Sequence, residues 1–365
     1  MKRVAIIGAG IGAAHLAGYR TLSEHFEVAT VCDLDLTRAE AMIGGDPAIA
    51  LTDDLASVMV DPEIDILDNC LPPHLHFPVS KEALEAGKHV ICEKPLVRSM
   101  AEADALADVV AATGLQVFPV FQYRYGPGLA QLRALIDAGV AGTPFVASLE
   151  THWNRGAEYY AVPWRGSWTG ESGGAVFGHA IHAHDFLTSV FGPVAEVSAM
   201  LNTRVNPIET EDCAAIAFRM ENGAVATSCV TLGAGDDTSR LRFCFEGLTA
   251  ESGSAPYAPA EDTWRFIARA PREQEEIDAV LAEVGEVRPG FSGFLAAVSE
   301  TIDGRGGQEV SFADGRCSIE LVTAIYQAAR NGKPVSLPLN EGDVLYAGLL
   351  PGEGFNKVKR HPTGG

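Results

Sequence analysis

The chain has 365 residues, more than one hydrophobic core usually holds, so two domains are expected. Hydrophobic residues make up 47% and charged residues 21%, the balance of an ordinary water-soluble globular protein. A formal charge of −21 argues against nucleic acid or an anionic membrane as a partner, because a phosphate surface would repel it.

Seven cysteines stand at positions 32, 70, 92, 213, 229, 244 and 317 with no Cys-x-x-Cys pair. Several sit in apolar runs, so they read as buried free thiols of a reducing cytoplasm. No apolar run is long enough, and free enough of polar residues, to span a bilayer. Met1-Lys2-Arg3 before an apolar run imitates a secretory leader, but three glycines in five residues and His15 interrupt that run. A cytoplasmic protein is therefore expected.

The first 33 residues organise the reading. Val4-Ala5-Ile6-Ile7 is an apolar run, Gly8-Ala9-Gly10-Ile11-Gly12-Ala13 is a glycine-rich turn into a helix, and a second apolar run ends at Val31-Cys32-Asp33. A dinucleotide-binding βαβ unit requires that order. Gly8 allows a sharp turn, Gly10 allows close approach of a pyrophosphate, and Ala13 is expected to supply the small residue for helix–strand packing. The helix N-terminus offers N–H groups and a positive dipole end to phosphates. Asp33 is placed to accept from both ribose hydroxyls of NAD and to repel a 2′-phosphate, although Arg38 leaves room for NADP.

Beyond Asp33, strands and helices continue to alternate, which implies a parallel sheet. Helices are expected at 38–43 and, after the Thr52-Asp53 cap, up to Val60. Ile64 to Cys70 reads as a strand stopped by Pro72 and Pro73 at its carboxyl end, beside the crevice where such sheets bind ligands. His74 and His76 read as helix-start or packing residues rather than metal ligands. The helix from Val79 to Ala86 ends at Gly87, and His89 to Cys92 is a strand running into Glu93-Lys94-Pro95. Ser99 caps the next helix with Glu102 as its capping-box partner, and Leu115 to Phe121 is the sixth strand. The first domain, residues 1–122, closes at Gln122, and Tyr123 to Gly128 is the hinge.

The second domain, residues 123–365, reads as α+β. One amphipathic helix (129–138) precedes strands at 145–153, 194–204, 214–220, 224–232 and 240–246, with an Asn222-Gly223 hairpin signal between two of them. Their closeness in sequence predicts a mostly antiparallel open sheet. Helices follow at 291–302 and 316–331. Residues 249–262 and the last 15 are loop-like.

Two clusters can carry chemistry. Lys94 lies at the inner end of a buried strand, where lysine is poor packing material. The second cluster is Gly173-Gly174-Ala175-Val176-Phe177-Gly178-His179-Ala180-Ile181-His182-Ala183-His184-Asp185. A helix starting near Gly178 puts His179, His182 and Asp185 on nearly one face and turns His184 away. On the residues alone these could be metal ligands, satisfied core or capping groups, or an acid/base site beside a nicotinamide. Trp153-Asn154-Arg155, Tyr159-Tyr160 and Trp164-Arg165 precede them, a set suited to a sugar pocket or to an oligomer interface.

Glu93-Lys94-Pro95 after a dinucleotide-binding half, followed by Gly173-Gly174 and His182-x-x-Asp185, resembles the glucose–fructose oxidoreductase / inositol dehydrogenase / rhizopine catabolism (Gfo/Idh/MocA) family. Pro73-x-x-His76, Gly87-Lys88-His89-Val90, the Gln122-Tyr123-Arg124 joint, Ala324-Ile325-Tyr326 and Gly332-Lys333-Pro334-Val335 extend the likeness over nearly the whole chain. The resemblance implies a Rossmann domain followed by an α+β domain, and an NAD(P)-dependent oxidoreductase acting on a sugar, inositol or glycoside hydroxyl. It implies no metal. Lys94 would orient the hydroxyl and lower its pKa, and His182 would take or return the proton, with Asp185 as a partner of substrate or site. It implies cofactor contacts from Gly8, Gly10, Ile11, Gly12, Asp33, Leu71, Pro72, His76, Glu93, Lys94 and Gln122, with Arg165 reaching in from the later segment. Substrate contacts would come from Lys94, Arg124, Trp153, Arg155, Tyr160, Trp164, His179 and Asp185.

Many relatives carry an aspartate four residues before the histidine; here that position is Gly178, and His179 is the candidate replacement. Assembly as a homodimer or homotetramer through the C-terminal sheet is expected. The alternatives are a glycosidase-like enzyme that recycles its NAD through a keto intermediate, and a non-catalytic NAD- or sugar-sensing regulator of the same fold.

Overall fold

The computed structural model describes residues 1–351, so all but the first of the final 15 residues lie outside the described residues. The chain divides into two compact units, one of Met1–Gln122 with Phe291–Ile319, the other of Tyr123–Gly290 with the described residues from Glu320 onward. The sequence reading kept everything after Gln122 in one domain. The 291–319 segment instead packs on the first unit: a Cβ on Gly18 would meet Leu295 at 3.0 Å, and one on Gly315 would meet Pro119 at 2.5 Å.

The first unit is built on six strands: β1 (Lys2–Ile7), β2 (Phe26–Cys32), β3 (Ala50–Thr52), β4 (Ile66–Asn69), β5 (His89–Cys92) and β6 (Val117–Pro119). They pair in parallel in the order β3-β2-β1-β4-β5-β6, the doubly wound order whose connections reverse direction between β1 and β4. Val4 to Ile6 and Ile66 to Asn69 are almost fully buried; β1 therefore reads as an unbroken apolar run, whereas β4 ends in the buried polar pair Asp68-Asn69. Asp54 and Ser99 cap their helices as Ncap acceptors for Ala56 and Glu102 N–H. Glu102 does not close a capping box on Ser99; its carboxylate takes the Arg98 N–H and the Arg98 guanidinium, both at 2.9 Å.

The second unit carries β7 (Pro144–Asn154), β8 (Val194–Asn202), β9 (Cys213–Met220), β10 (Val225–Thr231), β11 (Gly233–Phe245), β12 (Leu248–Glu251), β13 (Arg265–Ala268) and β14 (Val335–Ser336). They form one sheet, β13-β12-β11-β7-β10-β9-β8-β14, antiparallel except for the parallel β7–β10 pair. The β9–β10 hairpin turns at Asn222-Gly223, with Gly223 at φ +89° and Asn222 Oδ1 accepting the Ala224 N–H. Strand β12 falls partly in the stretch read as loop. It, β13, β14 and the helix Gln274–Ala282 are too short or too polar to show a period.

Burial alternates residue by residue along β9 and β10, so one face is inward and the other open. Phe186 and Phe191, on the helix Ile181–Phe191, pack on Phe243 and Phe245 of the inward face. The open face bears Val146, Ala215, Ala217, Val225, Thr227 and Cys229. None of the seven cysteines is in a disulfide; Cys32, Cys70 and Cys92 are buried as read, whereas Cys229 and Cys317 are exposed. Among the described residues no helix is long and apolar enough to cross a membrane.

Candidate active site

In the first unit the site begins where β1 and β4 end side by side. Gly8 has φ +105°, and a Cβ there would lie 2.8 Å from the Cys70 carbonyl oxygen, so only glycine turns the chain here. A Cβ on Gly10 would meet nothing within 4 Å, which leaves the backbone open to a close-packed ligand. The tight helix–strand contact belongs to Gly12, whose Cβ would meet Ile6 at 2.9 Å, and not to Ala13, which is exposed. The helix Gly12–Arg20 starts at this loop with no side-chain cap, and its Ala13 and Ala14 N–H turn back to the Gly10 and Ile11 carbonyls at 3.4 and 2.9 Å. The loop therefore fits a dinucleotide's pyrophosphate.

Asp33, just past β2, is nearly buried and accepts from Ala9 N–H at 2.6 Å and Asp35 N–H at 2.8 Å. The Arg38 guanidinium reaches both of its oxygens, at 2.7 and 2.9 Å. Burial raises the Asp33 carboxyl, but the Arg38 hydrogen bond and the two amides outweigh it and hold it below the ordinary value. Asp33 thus braces the glycine loop while holding Arg38 close to itself.

Leu71 and Pro72 lead from β4 into the short turn Pro73–Leu75, and both are half-buried. His76 is buried behind them with one ring nitrogen 2.8 Å from the Leu71 carbonyl oxygen and the other 2.6 Å from that of Pro95, and the neutral ring donates its single N–H to one of the two. Its ring is committed to tying the Leu71–Pro72 loop to the Glu93-Lys94-Pro95 turn, so it contacts a cofactor only through those loops. Burial holds its pKa below the usual value. Lys94 is half-buried, its backbone N–H donates to Glu93 Oε2 at 3.0 Å, and the Lys94–Pro95 peptide is cis. Gln122 opens the turn Gln122–Arg124 at the end of this unit.

In the second unit the histidine segment is not a simple α-helix. Val176–Ala180 forms a π turn that passes into the helix Ile181–Phe191. The side chains therefore part company rather than lining one stripe. His182 stacks on Tyr123, rings 4.5 Å apart and 18° from parallel. Asp185 is buried, and its two oxygens accept from Arg124 Nε at 2.8 Å and Nη2 at 2.6 Å. His179 sits 5.2 Å from Trp153 and 5.7 Å from Tyr159. His184 is the core histidine: its Nε2 bonds Ser228 Oγ at 3.0 Å while its buried Nδ1 has no partner among the described residues, and burial pushes its pKa down to about 3. A Cβ on Gly178 would meet nothing within 4 Å, so space does not exclude the aspartate found there in relatives.

Trp153, Arg155, Tyr159 and His179 form an aromatic and cationic wall. The Arg155 guanidinium lies 5.1 Å from the Trp153 ring and 5.5 Å from the Tyr159 ring, and pairs with Asp237 at 2.9 Å. Arg165 lies 3.9 Å over Tyr159 and 5.2 Å from Trp164, and Tyr160 packs edge-on against Tyr159. Asp237 and Tyr257 escaped the sequence reading although both touch Arg155. Tyr257 lies in the stretch dismissed as loop, and an aromatic in such a stretch was the available signal.

The start of the histidine segment is held by a second group the sequence did not reveal. Glu211, buried between β8 and β9, accepts from Val176 N–H at 2.9 Å, Gly174 N–H at 3.1 Å and Tyr326 Oη at 2.7 Å. Burial outweighs these donors and pushes its carboxyl up to about 7. A folded value raised above the unfolded one means that the stability Glu211 contributes is fully present below the unfolded pKa and is lost as pH rises toward about 7. The stability gap between wild type and Glu211→Gln should narrow from about pH 5 to about pH 8. Urea unfolding at several pH values checks this; a gap that widens contradicts it.

Two family descriptions match: residues 2–121 match "Oxidoreductase family, NAD-binding Rossmann fold" of GFO/IDH/MocA, and residues 129–250 match the GFO/IDH/MocA C-terminal domain. The uncharacterized oxidoreductase YrbE of Bacillus subtilis is 30% identical over 270 residues, covering 72% of this chain and 77% of that one. Levoglucosan dehydrogenase of Pseudarthrobacter phenanthrenivorans is 27% identical over 281 residues, covering 67% and 71%. The WlbA dehydrogenase of Chromobacterium violaceum, crystallised with NADH and UDP-GlcNAcA, superposes with a TM-score of 0.81 at 27% identity, covering 93% of this chain and 96% of that one. The chain belongs to the Gfo/Idh/MocA family of oxidoreductases, and its first unit is an NAD-binding Rossmann domain.

Proposed function

We propose that this oxidoreductase passes a hydride between NAD and a secondary hydroxyl or ketone of a sugar, polyol or glycoside. The observation that carries the reading is the first unit's own geometry: a loop open to pyrophosphate at the β1/β4 reversal, with Lys94 at the end of the adjoining strand β5. NAD supplies the hydride acceptor when bound. Lys94 donates to the substrate oxygen and lowers its pKa, and His182 takes the proton at its ring edge, its face being stacked on Tyr123. Arg124 and Asp185 occupy one another and act by fixing the His182 helix on the Tyr123–Arg124 turn. Tyr160 and Trp164 offer faces to sugar C–H surfaces, buried Trp153 backs Arg155 and His179, which offer polar atoms, and Arg165 is the candidate cofactor contact from this unit.

The dehydrogenases named above support a carbohydrate substrate. Seven cysteines outside any disulfide accord with a reducing, cytoplasmic setting. The open sheet face, with Val146 41% and Val225 47% exposed among small residues, supports a homodimer or homotetramer through that face.

A panel of inositols, aldoses and glycosides, each offered with NAD and NADP, tests the proposal. NADH should appear with at least one of them. Product formed without net NADH points instead to the NAD-recycling glycosidase, and NAD binding with no product at all points to a regulator.

Coenzyme choice follows from Asp33. Removing its carboxylate deletes the group that would repel a 2′-phosphate and releases Arg38 to pair with one. Asp33→Ala should lower the NAD/NADP ratio of kcat/KM by about 10-fold or more. An unchanged ratio would place the ribose away from Asp33.

A further inference from the structure

The proposed reaction leaves unused a buried ionic cluster beneath the glycine loop. His15, on the inner face of the helix Gly12–Arg20, is fully buried, where an unsatisfied imidazole would be costly. Its Nδ1 lies 2.8 and 3.0 Å from the two Asp68 oxygens, and its Nε2 lies 3.2 Å from Glu93 Oε1. A neutral ring has one N–H and would turn its other lone pair against a carboxylate; only an imidazolium donates at both nitrogens. Tyr19 Oη donates to Asp68 at 3.0 Å, and Glu93 Oε2 accepts the Lys94 N–H. One chain of hydrogen bonds therefore runs from Tyr19 through Asp68, His15 and Glu93 to the Lys94 backbone, all within the first unit.

Cys70 Sγ lies 3.5 Å from His15 Nδ1, and burial pushes that thiol up to about 12, so it stays neutral. The Phe291 ring, 4.6 Å from the imidazole, adds no charge. Two carboxylates, Asp68 and Glu93, thus face the imidazolium directly. Burial pulls the His15 pKa down, but the Asp68 charge and hydrogen bond carry it well above its ordinary value.

We infer that His15 is a positioning residue for Lys94: bridging Asp68 and Glu93, it keeps Glu93 ionised and turned so that its second oxygen fixes the Lys94 backbone. The inference rests on the role given to Lys94 in the proposed function. Loss of the imidazolium removes the cation that Asp68 and Glu93 both contact and leaves two buried carboxylates without it. The double variant His15→Gln/Asp68→Asn removes one cation and one anion together and restores the balance.

Three measurements on the NAD-saturated protein test this. In histidine-selective ¹⁵N spectra of the wild type, both ring nitrogens of His15 should still carry protons at neutral pH, above the ordinary titration of a histidine; a neutral tautomer at neutral pH overturns the inference. In His15→Gln, hydrogen exchange of the peptide holding residues 92–96 should quicken by about 10-fold or more while the β1 and β4 strands stay protected. Faster exchange throughout the unit, or unchanged exchange at 92–96, overturns it. Turnover of whichever substrate the panel yields should fall about 100-fold in His15→Gln, with its pH profile displaced and NAD affinity within about threefold, and should largely return in the double variant. Equal damage in single and double variants signifies packing alone and overturns the inference. If the wild type turns over nothing in the panel, the proposed function fails, while the spectra and the exchange data still decide the state of His15 and its hold on Lys94.

Discussion

Lys94→Ala and His182→Ala should each lower turnover by about 10²–10⁴-fold, the contribution of a positioned proton-transfer group. NAD affinity should move by less than about threefold in either variant, since neither side chain holds the pyrophosphate or the adenosine ribose. The two losses should differ in their signature. Without Lys94 the substrate oxygen keeps its ordinary pKa, so kcat falls and activity recovers in part at high pH. Without His182 the proton has no acceptor, and the limb of the pH profile that belongs to the imidazole disappears. Lys94→Arg should not rescue, because a guanidinium stays charged and reaches with a planar fork rather than a point. Steady-state rates and NAD titrations of the purified variants check all of this; wild-type turnover in either alanine variant contradicts the roles assigned.

Gly174→Ala should be the most damaging glycine-to-alanine change among the described residues. Its Cβ would lie 1.9 Å from the Glu211 carbonyl oxygen, and Glu211 also holds the Gly174 and Val176 amides through its side chain. Neither partner can retreat easily, since Glu211 is tied to Tyr326 at 2.7 Å and the Ala175 N–H bonds its carbonyl at 2.9 Å. Overpacking against rigid backbone costs at least about 3 kcal/mol here, at the upper end for inserted methyls. Gly178→Ala, four residues on in the same segment, is the control: its Cβ would meet nothing within 4 Å, and the variant should be as stable as the wild type or gain up to about 1 kcal/mol. Urea midpoints of the two variants decide; comparable destabilisation in both contradicts the packing argument.

These results also show what the sequence can convey. The Rossmann half was legible because its signals are local: a strand buried on both faces is a run such as Val4 to Ile7, and a turn with positive φ needs Gly8. The assignment of tight packing to Ala13 instead of Gly12 was a one-residue error of phase, since only the helix's direction into the sheet decides which small residue meets Ile6. The His179–His182–Asp185 stripe assumed 3.6 residues per turn, and the π turn at Val176–Ala180 changes that period where the site begins. Glu211 and Tyr326 lie 115 positions apart and His15 and Glu93 lie 78 apart. No periodicity brings such pairs together; only the folded sheets do. Strands as short as Val335–Ser336 leave no pattern to read.

The central claim is direct hydride transfer from a substrate carbon to bound NAD. It is tested most directly with the panel's substrate deuterated at the carbinol carbon, by mass spectrometry of the reduced coenzyme. The account predicts NADH carrying one deuterium, formed in step with the ketone and more slowly than with the protiated substrate. Reduced coenzyme without deuterium, or product that regains its deuterium while NADH never accumulates, contradicts it.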